Sequence, residues 1–144
     1  MFVDSDNETK FTVKGIVLPN LLTLELHVRS ERDTMSFLDA LNLPNLTSLK
    51  LGEAGCGEST LHQLVNRSGM KKMEELIISK TVLPLLLGTL LEILPSLCHL
   101  EIHTRIILDM STMHRIGSGE LGPRLRALHL RGNQELELNS RYGL

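Results

Sequence analysis

One short pattern returns five times in this chain. Leu18–Leu26 reads LPNLLTLEL, Leu43–Leu51 reads LPNLTSLKL, Met70–Ile78 reads MKKMEELII, Leu94–Ile102 reads LPSLCHLEI and Gly122–Leu130 reads GPRLRALHL. Each has the form LxxLxxLxL, with Met, Ile or Gly as occasional substitutes, and the starts lie 25, 27, 24 and 28 residues apart. Three of the five open on Leu-Pro. A period of this size marks a stacked array, in which one supersecondary unit buries its apolar side against the next. Composition agrees: 31 of the 144 residues are Leu, while Trp is absent and only one Tyr and three Phe occur. The same few core positions recur in every unit, and Leu suits nearly all of them.

The spacing predicts the local structure. The two apolar residues of LxL lie on one side of a short strand and the residue between them on the other. Proline cannot donate a ladder hydrogen bond, so Leu-Pro belongs just before the strand. Between the strands, residues 33–41 place Met35, Leu38 and Leu41 at spacing three, and residues 58–67 place Leu61, Leu64 and Val65 on one face. Residues 85–94 carry Leu86, Leu87, Leu90, Leu91 and Leu94. All three segments read as helices, with Asp33 and Ser59 or Thr60 as N-caps. Residues 109–122, with Met110, Met113 and Ile116, read as a shorter helix of one or two turns. Residues 11–17 (FTVKGIV) predict a strand ahead of the first unit, and Leu136–Leu138 the start of a sixth. Parallel strands joined by helical crossovers of about a dozen residues give an α/β fold. The expectation is a right-handed leucine-rich repeat solenoid of about five repeats, with a parallel sheet on its concave face and helices on its convex face. Residues 1–10 read as a disordered or poorly ordered N-terminus, 11–133 as the repeat domain and 134–144 as a C-terminal tail or partial repeat. Neither end supplies a polar cap, so a fragment, a truncated product or association through uncapped ends is expected.

Charge and sequence motifs narrow the function classes. Fifteen basic and 17 acidic residues give a net charge of -2, which argues against nucleic acid and anionic membranes as partners. The acidic opening MFVDSDNETK has no apolar core of a signal peptide. The longest apolar run, residues 82–87, is broken by Pro84 and is too short to span a bilayer. Cys56 and Cys98 have no metal-ligand spacing and read as reduced thiols of a cytoplasmic or nuclear protein. Sequons begin at Asn7, Asn45 and Asn66; without a secretory signal they read as chance matches, and Asn45 would open a buried strand. No nucleophile elbow, phosphate loop, zinc-protease or dinucleotide motif occurs. The glycine-rich residues 52–57 lack a phosphate-loop Lys and read as a turn into the second helix.

The stretches FLDALNLPNLTSLKL, LHQLVNRSGMKKMEELII and LLEILPSLCHLEI resemble the repeat region of the F-box-like proteins that are numerous in mushroom-forming fungi. The resemblance covers roughly residues 16–133 and rests on a helix ending in LVxRS before a strand and on LLPSLxxLEL. It implies the substrate-recognition half of an F-box-type ubiquitin-ligase receptor. The F-box itself, an N-terminal helical LPxEIL segment, is absent, so adaptor binding falls on no residue here. The Asn or Cys that follows each strand in leucine-rich repeats is also largely missing: Arg29, Ala54, Thr81 and Arg105 stand in its place, and only Asn133 matches.

Function is then expected on the strand positions that are not leucine. The column inside LxL is Glu25, Lys50, Ile77, Glu101 and His129; two residues on it is His27, Gly52, Ser79, His103 and Arg131; two residues before it is Thr23, Ser48, Glu75, His99 and Ala127. The proposed partner-binding set on the concave face is Glu25, His27, Lys50, Glu75, Ile77, Ser79, His99, Glu101, His103, His129 and Arg131. Imidazole and carboxylate together are zinc-ligand chemistry, but residues four apart on a strand are about 13 Å apart. His99 and His103 should therefore not share an ion. Cys98 and His99 are adjacent and face opposite ways. The expected function is protein binding, with no enzyme activity, no cofactor and no metal. The alternatives are a scaffold or immune-type repeat unconnected with ubiquitin, and a small metal-dependent enzyme using Glu101 and the histidines.

Overall fold

The computed structural model describes residues 2–5, 15–28, 30–53, 58–79, 85–103 and 106–131. The elements are β1 (Phe2–Ser5), β2 (Ile16–Val17), β3 (Thr23–Val28), α1 (Glu31–Asp39), β4 (Leu41–Asn42), β5 (Ser48–Glu53), α2 (Glu58–Ser68), β6 (Glu75–Ile78), β7 (Leu85–Leu86), α3 (Leu87–Ile93), β8 (His99–Ile102), β9 (Ile106–Ile107), α4 (Met110–Gly117) and β10 (Ala127–Leu130). The chain is an α/β protein. Its main sheet has six parallel strands in the order β1-β3-β5-β6-β8-β10. Two two-stranded parallel ladders, β2-β4 and β7-β9, stand apart from it.

All five LxL segments are strands, and they stack without slippage: Leu24, Leu49, Leu76, Leu100 and Leu128 pair one after another. Leu24, Leu26, Leu49, Leu51, Leu76, Ile78, Leu100 and Ile102 are buried. They meet Leu38 of α1, Leu61 and Leu64 of α2 and Leu87, Leu90 and Leu91 of α3 in one core. Pleating sends every second side chain to that core, and the helices cover it because their own apolar stripes face it.

Two local devices repeat from rung to rung. In four of the five units the first residue of the pattern accepts a hydrogen bond from the amide of the fourth: Leu18 from Leu21, Leu43 from Leu46, Leu94 from Leu97 and Gly122 from Leu125. Proline at the second position fits such a turn, because its fixed φ suits the first corner. Just before each strand one carbonyl accepts two successive amides of the next unit. Leu22 serves Thr47 and Ser48, Thr47 serves Glu74 and Glu75, Glu74 serves Cys98 and His99, and Cys98 serves Arg126 and Ala127. The ladder thus begins at the same place in every rung. The third unit, which lacks the Pro, is entered through Gly69 at φ 61, which closes α2 by donating to the Val65 carbonyl.

Several expectations are corrected. Phe2–Ser5, within the N-terminus expected to be disordered or poorly ordered, is the first strand of the sheet, paired to β3; its pairing is non-local and it carries no repeat signature. Of the strand expected over residues 11–17, Ile16–Val17 is formed, and it pairs with β4 rather than joining the main sheet; residues 11–14 lie outside the described residues. Ser30, not Asp33, caps α1, its Oγ accepting from the Asp33 amide. Ser59 and Thr60 lie inside α2. Leu41 has left the helix for β4, and Met35 is exposed. Residues 85–86 are strand, so α3 begins at Leu87. Gly52 and Glu53 end β5 rather than forming a turn. Asn45 lies in the turn before β5, its amide donating to the Pro19 carbonyl at 2.7 Å. The tail 134–144, Leu136–Leu138, Cys56 and the post-strand positions Arg29, Ala54, Thr81, Arg105 and Asn133 lie outside the described residues. Among the described residues no helix is long and apolar enough to cross a membrane.

Candidate functional site

Strand pairing turns the three columns of non-leucine residues into a grid on the sheet face opposite the core. Glu25, Lys50, Ile77, Glu101 and His129 pair in sequence, as do Thr23, Ser48, Glu75, His99 and Ala127. The third column extends past the strand ends through amide bonds from Ser79, His103 and Arg131 to the carbonyls of Leu51, Ile78 and Ile102. Neighbouring rungs are about 4.8 Å apart, so all eleven residues of the expected binding set share one surface.

Within this grid the side chains are already engaged. His103 Nε2 lies 2.8 Å from Glu101 Oε1, and His99 Nε2 lies 3.7 Å from Glu101 Oε2. One carboxylate is bracketed by two imidazoles, one on each oxygen. The separation of His99 from His103 is bridged because Glu101 sits midway between them. His129, paired with Glu101 on the next strand, packs its ring on His99 with centroids 5.3 Å apart and planes tilted by 36°. The hydrogen bond to His103 holds the Glu101 carboxyl below the usual carboxylate range; partial burial opposes this, and His99 and Arg131 reinforce it.

The same device occurs on β3, three strands away from β8. His27 Nε2 lies 2.8 Å from Glu25 Oε1, and this bond, aided by Lys50, holds the Glu25 carboxyl low. The His27 ring has room because its neighbour in the column is Gly52: a β-carbon there would collide with His27 Nδ1. Between the two devices, Ser48 Oγ donates to Glu75 Oε1 at 2.7 Å. Sequence reading placed these residues on one face, with His99 and His103 flanking Glu101 and His129 beside it on the next strand, but did not single out the Glu25–His27 pair. The available signal was Glu-x-His in Glu25–His27 and Glu101–His103, since two residues apart on a strand means the same side.

The lowered Glu101 titration sets a pH dependence. A carboxyl that loses its proton more readily when folded adds stability above the usual glutamate range of about 4.3, and that contribution disappears as the pH falls through the lowered folded value. A Glu101→Gln variant should melt below wild type at about pH 6, and the gap should close as acid protonates the wild-type carboxyl. Thermal melts across that range check it; a gap that stays constant into acid would contradict the pairing.

Among the described residues no group of three His, Cys, Asp or Glu is arranged to hold a metal ion. The Cys98 thiol lies 3.5 Å from the Ser96 carbonyl and takes no part in the histidine cluster. A recess of about 580 Å3 beside the C-terminal ends of α2 and α3, lined by Val65, Met70, Ile93 and Pro95 among others, contains no His or Cys. No protein-family model, no curated protein and no solved structure matches the chain.

Proposed function

We propose that this chain is a leucine-rich repeat module that binds a partner protein on the open face of its sheet, as the substrate-recognition half of an F-box-type ubiquitin-ligase receptor. The binding reading is supported above all by the grid: ten polar positions and the half-buried Ile77, from five rungs, stand in register on a face that no described element covers. The repeated turn and carbonyl devices support the solenoid reading. The ubiquitin connection rests on the motif resemblance of residues 16–133. Binding is the whole activity on this reading, and other subunits would supply catalysis in the cytoplasm or nucleus.

The test begins with a partner found by proximity labelling in the source cell and then purified. The triple variant Glu101→Gln, His129→Ala, Arg131→Ala should bind it at least tenfold more weakly by calorimetry, a loss of about 1.4 kcal/mol, with an unchanged circular dichroism spectrum. Unaltered affinity would remove the open face as the binding surface. A partner whose cellular lifetime does not respond to proteasome inhibition would remove the ubiquitin half and leave the binding half standing.

A further inference from the structure

The leucine ladder is buried in four rungs and open in the fifth. Leu24, Leu49, Leu76 and Leu100 are at most 1% exposed, whereas Leu128, next in the same column, is 37% exposed. Leu130 is half-buried, although Leu26, Leu51, Ile78 and Ile102 at its column position are buried. The cause is the place of β10: among the described residues no strand stands beyond it in the sheet. Its free edge also carries backbone polar groups. Ala127 and Arg131 turn their amides to the Cys98 and Ile102 carbonyls on the β8 side. Backbone groups alternate sides along a strand, so the amides and carbonyls of Leu128 and Leu130 face away from β8. An edge of this kind is a template for another strand.

The chain continues past Arg131 as GNQELELNSRYGL, and these residues lie outside the described ones. We infer that Leu136–Leu138 folds back antiparallel along the free edge of β10 and closes the sheet there, with Leu136 opposite Leu130 and Leu138 opposite Leu128. Spacing favours this return over a sixth rung. Only residues 131–135 separate Leu130 from Leu136, whereas the five patterns start 24 to 28 residues apart. A parallel neighbour needs a crossover of about a dozen residues or more. Five residues that include Gly132-Asn133 have the length and composition of a hairpin connection.

The side-chain pattern fixes the register. In this pairing Leu136 and Leu138 join Leu128 and Leu130 on the core side, and Glu137 falls on the open side opposite His129. Glu and His are already neighbours on that face in Glu25–His27 and Glu101–His103. A slip of one residue, which a two-residue Gly-Asn loop would give, sets Glu135 and Glu137 against Leu130 and Leu128 on the core side, where an unpaired carboxylate is costly. The edge backbone agrees with the unslipped register. Leu128 and Leu130, whose amides and carbonyls face the edge, become the hydrogen-bonded pairs, and His129–Glu137 the closer non-hydrogen-bonded pair.

A second copy of the chain carries the same segment, but the tethered one is present at a roughly millimolar effective concentration. The return strand covers Leu128 on one side only, so Leu128 stays less enclosed than Leu76. Closure of the edge also removes a template for end-to-end association. The inference does not depend on partner binding at the open face.

Cysteine pairs in the full chain test the register, in a Cys56→Ser, Cys98→Ser background. His129→Cys with Glu137→Cys places two thiols on the same side within disulfide reach. In a glutathione redox buffer this pair should close within one chain about tenfold faster than His129→Cys with Leu136→Cys, whose side chains face opposite ways. In the chain with its native cysteines, Leu136→Asp with Leu138→Asp should speed hydrogen exchange at the Leu128 and Leu130 amides about tenfold relative to the Leu76 amide. Should that variant misfold, the cross-linking comparison decides alone, because His129 and Glu137 are open-side positions. Equal closure of the two cysteine pairs, cross-linked dimers as the main product, or unchanged exchange at Leu128 and Leu130 in a folded variant each overturns the inference.

Discussion

Replacing Leu76 by alanine should destabilise the chain by about 3–5 kcal/mol. Leu76 has no exposed surface and lies in the middle of the leucine ladder, paired with Leu49 on one side and Leu100 on the other. Both neighbours are buried as well. Truncation removes the transfer free energy of the lost methyl groups and leaves a cavity between two strands that are fixed by their own ladder bonds. The site therefore collapses poorly, and the cost belongs near the upper part of the observed range. A domain of this size is stable by about 5–15 kcal/mol in all, so the loss is a large fraction of the total. Leu128 provides the internal control. It occupies the same pattern position in the last described rung, but is 37% exposed. Leu128→Ala should cost less than half as much. Guanidinium titrations with an unchanged slope would read both differences. Equal losses at the two positions would show that burial along the ladder does not set the energetics.

Ser68→Ala should be the second large loss, about 1–3 kcal/mol, although the residue is neither apolar nor part of the sheet. It ends α2 and is buried, and its Oγ accepts the amide of Leu43 at 2.9 Å. Leu43 belongs to the preceding repeat and is itself fully buried. Removing the hydroxyl leaves a buried N–H without its partner, and the cost is the desolvation of that donor. Alanine is the better helix former by a few tenths of a kcal/mol, which acts in the opposite direction and is too small to hide the loss. The comparison is Ser36→Ala on the exposed side of α1, where the midpoint should stay the same or rise slightly. A Ser68→Ala midpoint that matches the Ser36→Ala result would refute the role of the bond.

The neighbouring Arg67 acts in the same junction. Its Nε donates to the Leu41 carbonyl at 2.8 Å and its Nη2 to the Leu38 carbonyl at 2.7 Å. Leu38 lies in the last turn of α1, where carbonyls lack helical partners. Arg67 and Ser68 therefore fasten the end of one repeat's helix to the next. These are the last two residues of the LVNRS stretch on which the family resemblance partly rests. Their contacts give that short motif a structural reason that needs no particular function.

The parts of this fold that were legible in the sequence are those set by local periodicity. Alternation in LxL told which residue of each strand faces the core, and equal lengths of pattern told which residues would pair. Leu24, Leu49, Leu76, Leu100 and Leu128 are neighbours for that reason. Helix positions followed from apolar spacing, but their ends did not. Ser30 and Asp33 are both capping residue types, and only the backbone path chose Ser30. Strand β1 was missed because Phe2–Ser5 carries no leucine pattern and its partner lies more than 20 residues away in β3. Met35 matched an apolar spacing yet is exposed, because helix periodicity alone does not locate the edge of the core.

The candidate site divides in the same way. The sequence alone determined its membership, since any non-leucine at an outward strand position must join the grid once the leucines point inward. It could not determine the engagement of those side chains. Whether Glu101 meets His99, His103 or His129 depends on rotamers and on which strands lie alongside, and these are fixed only when the rungs stack. Gly52 shows the point most plainly: in sequence it is a small residue after a leucine, whereas in the folded sheet it is the space that the His27 ring occupies. Repetition along the chain is a one-dimensional property and is written in the sequence. Contact between side chains on neighbouring rungs joins residues about 25 positions apart, and only the tertiary structure brings them within bonding distance.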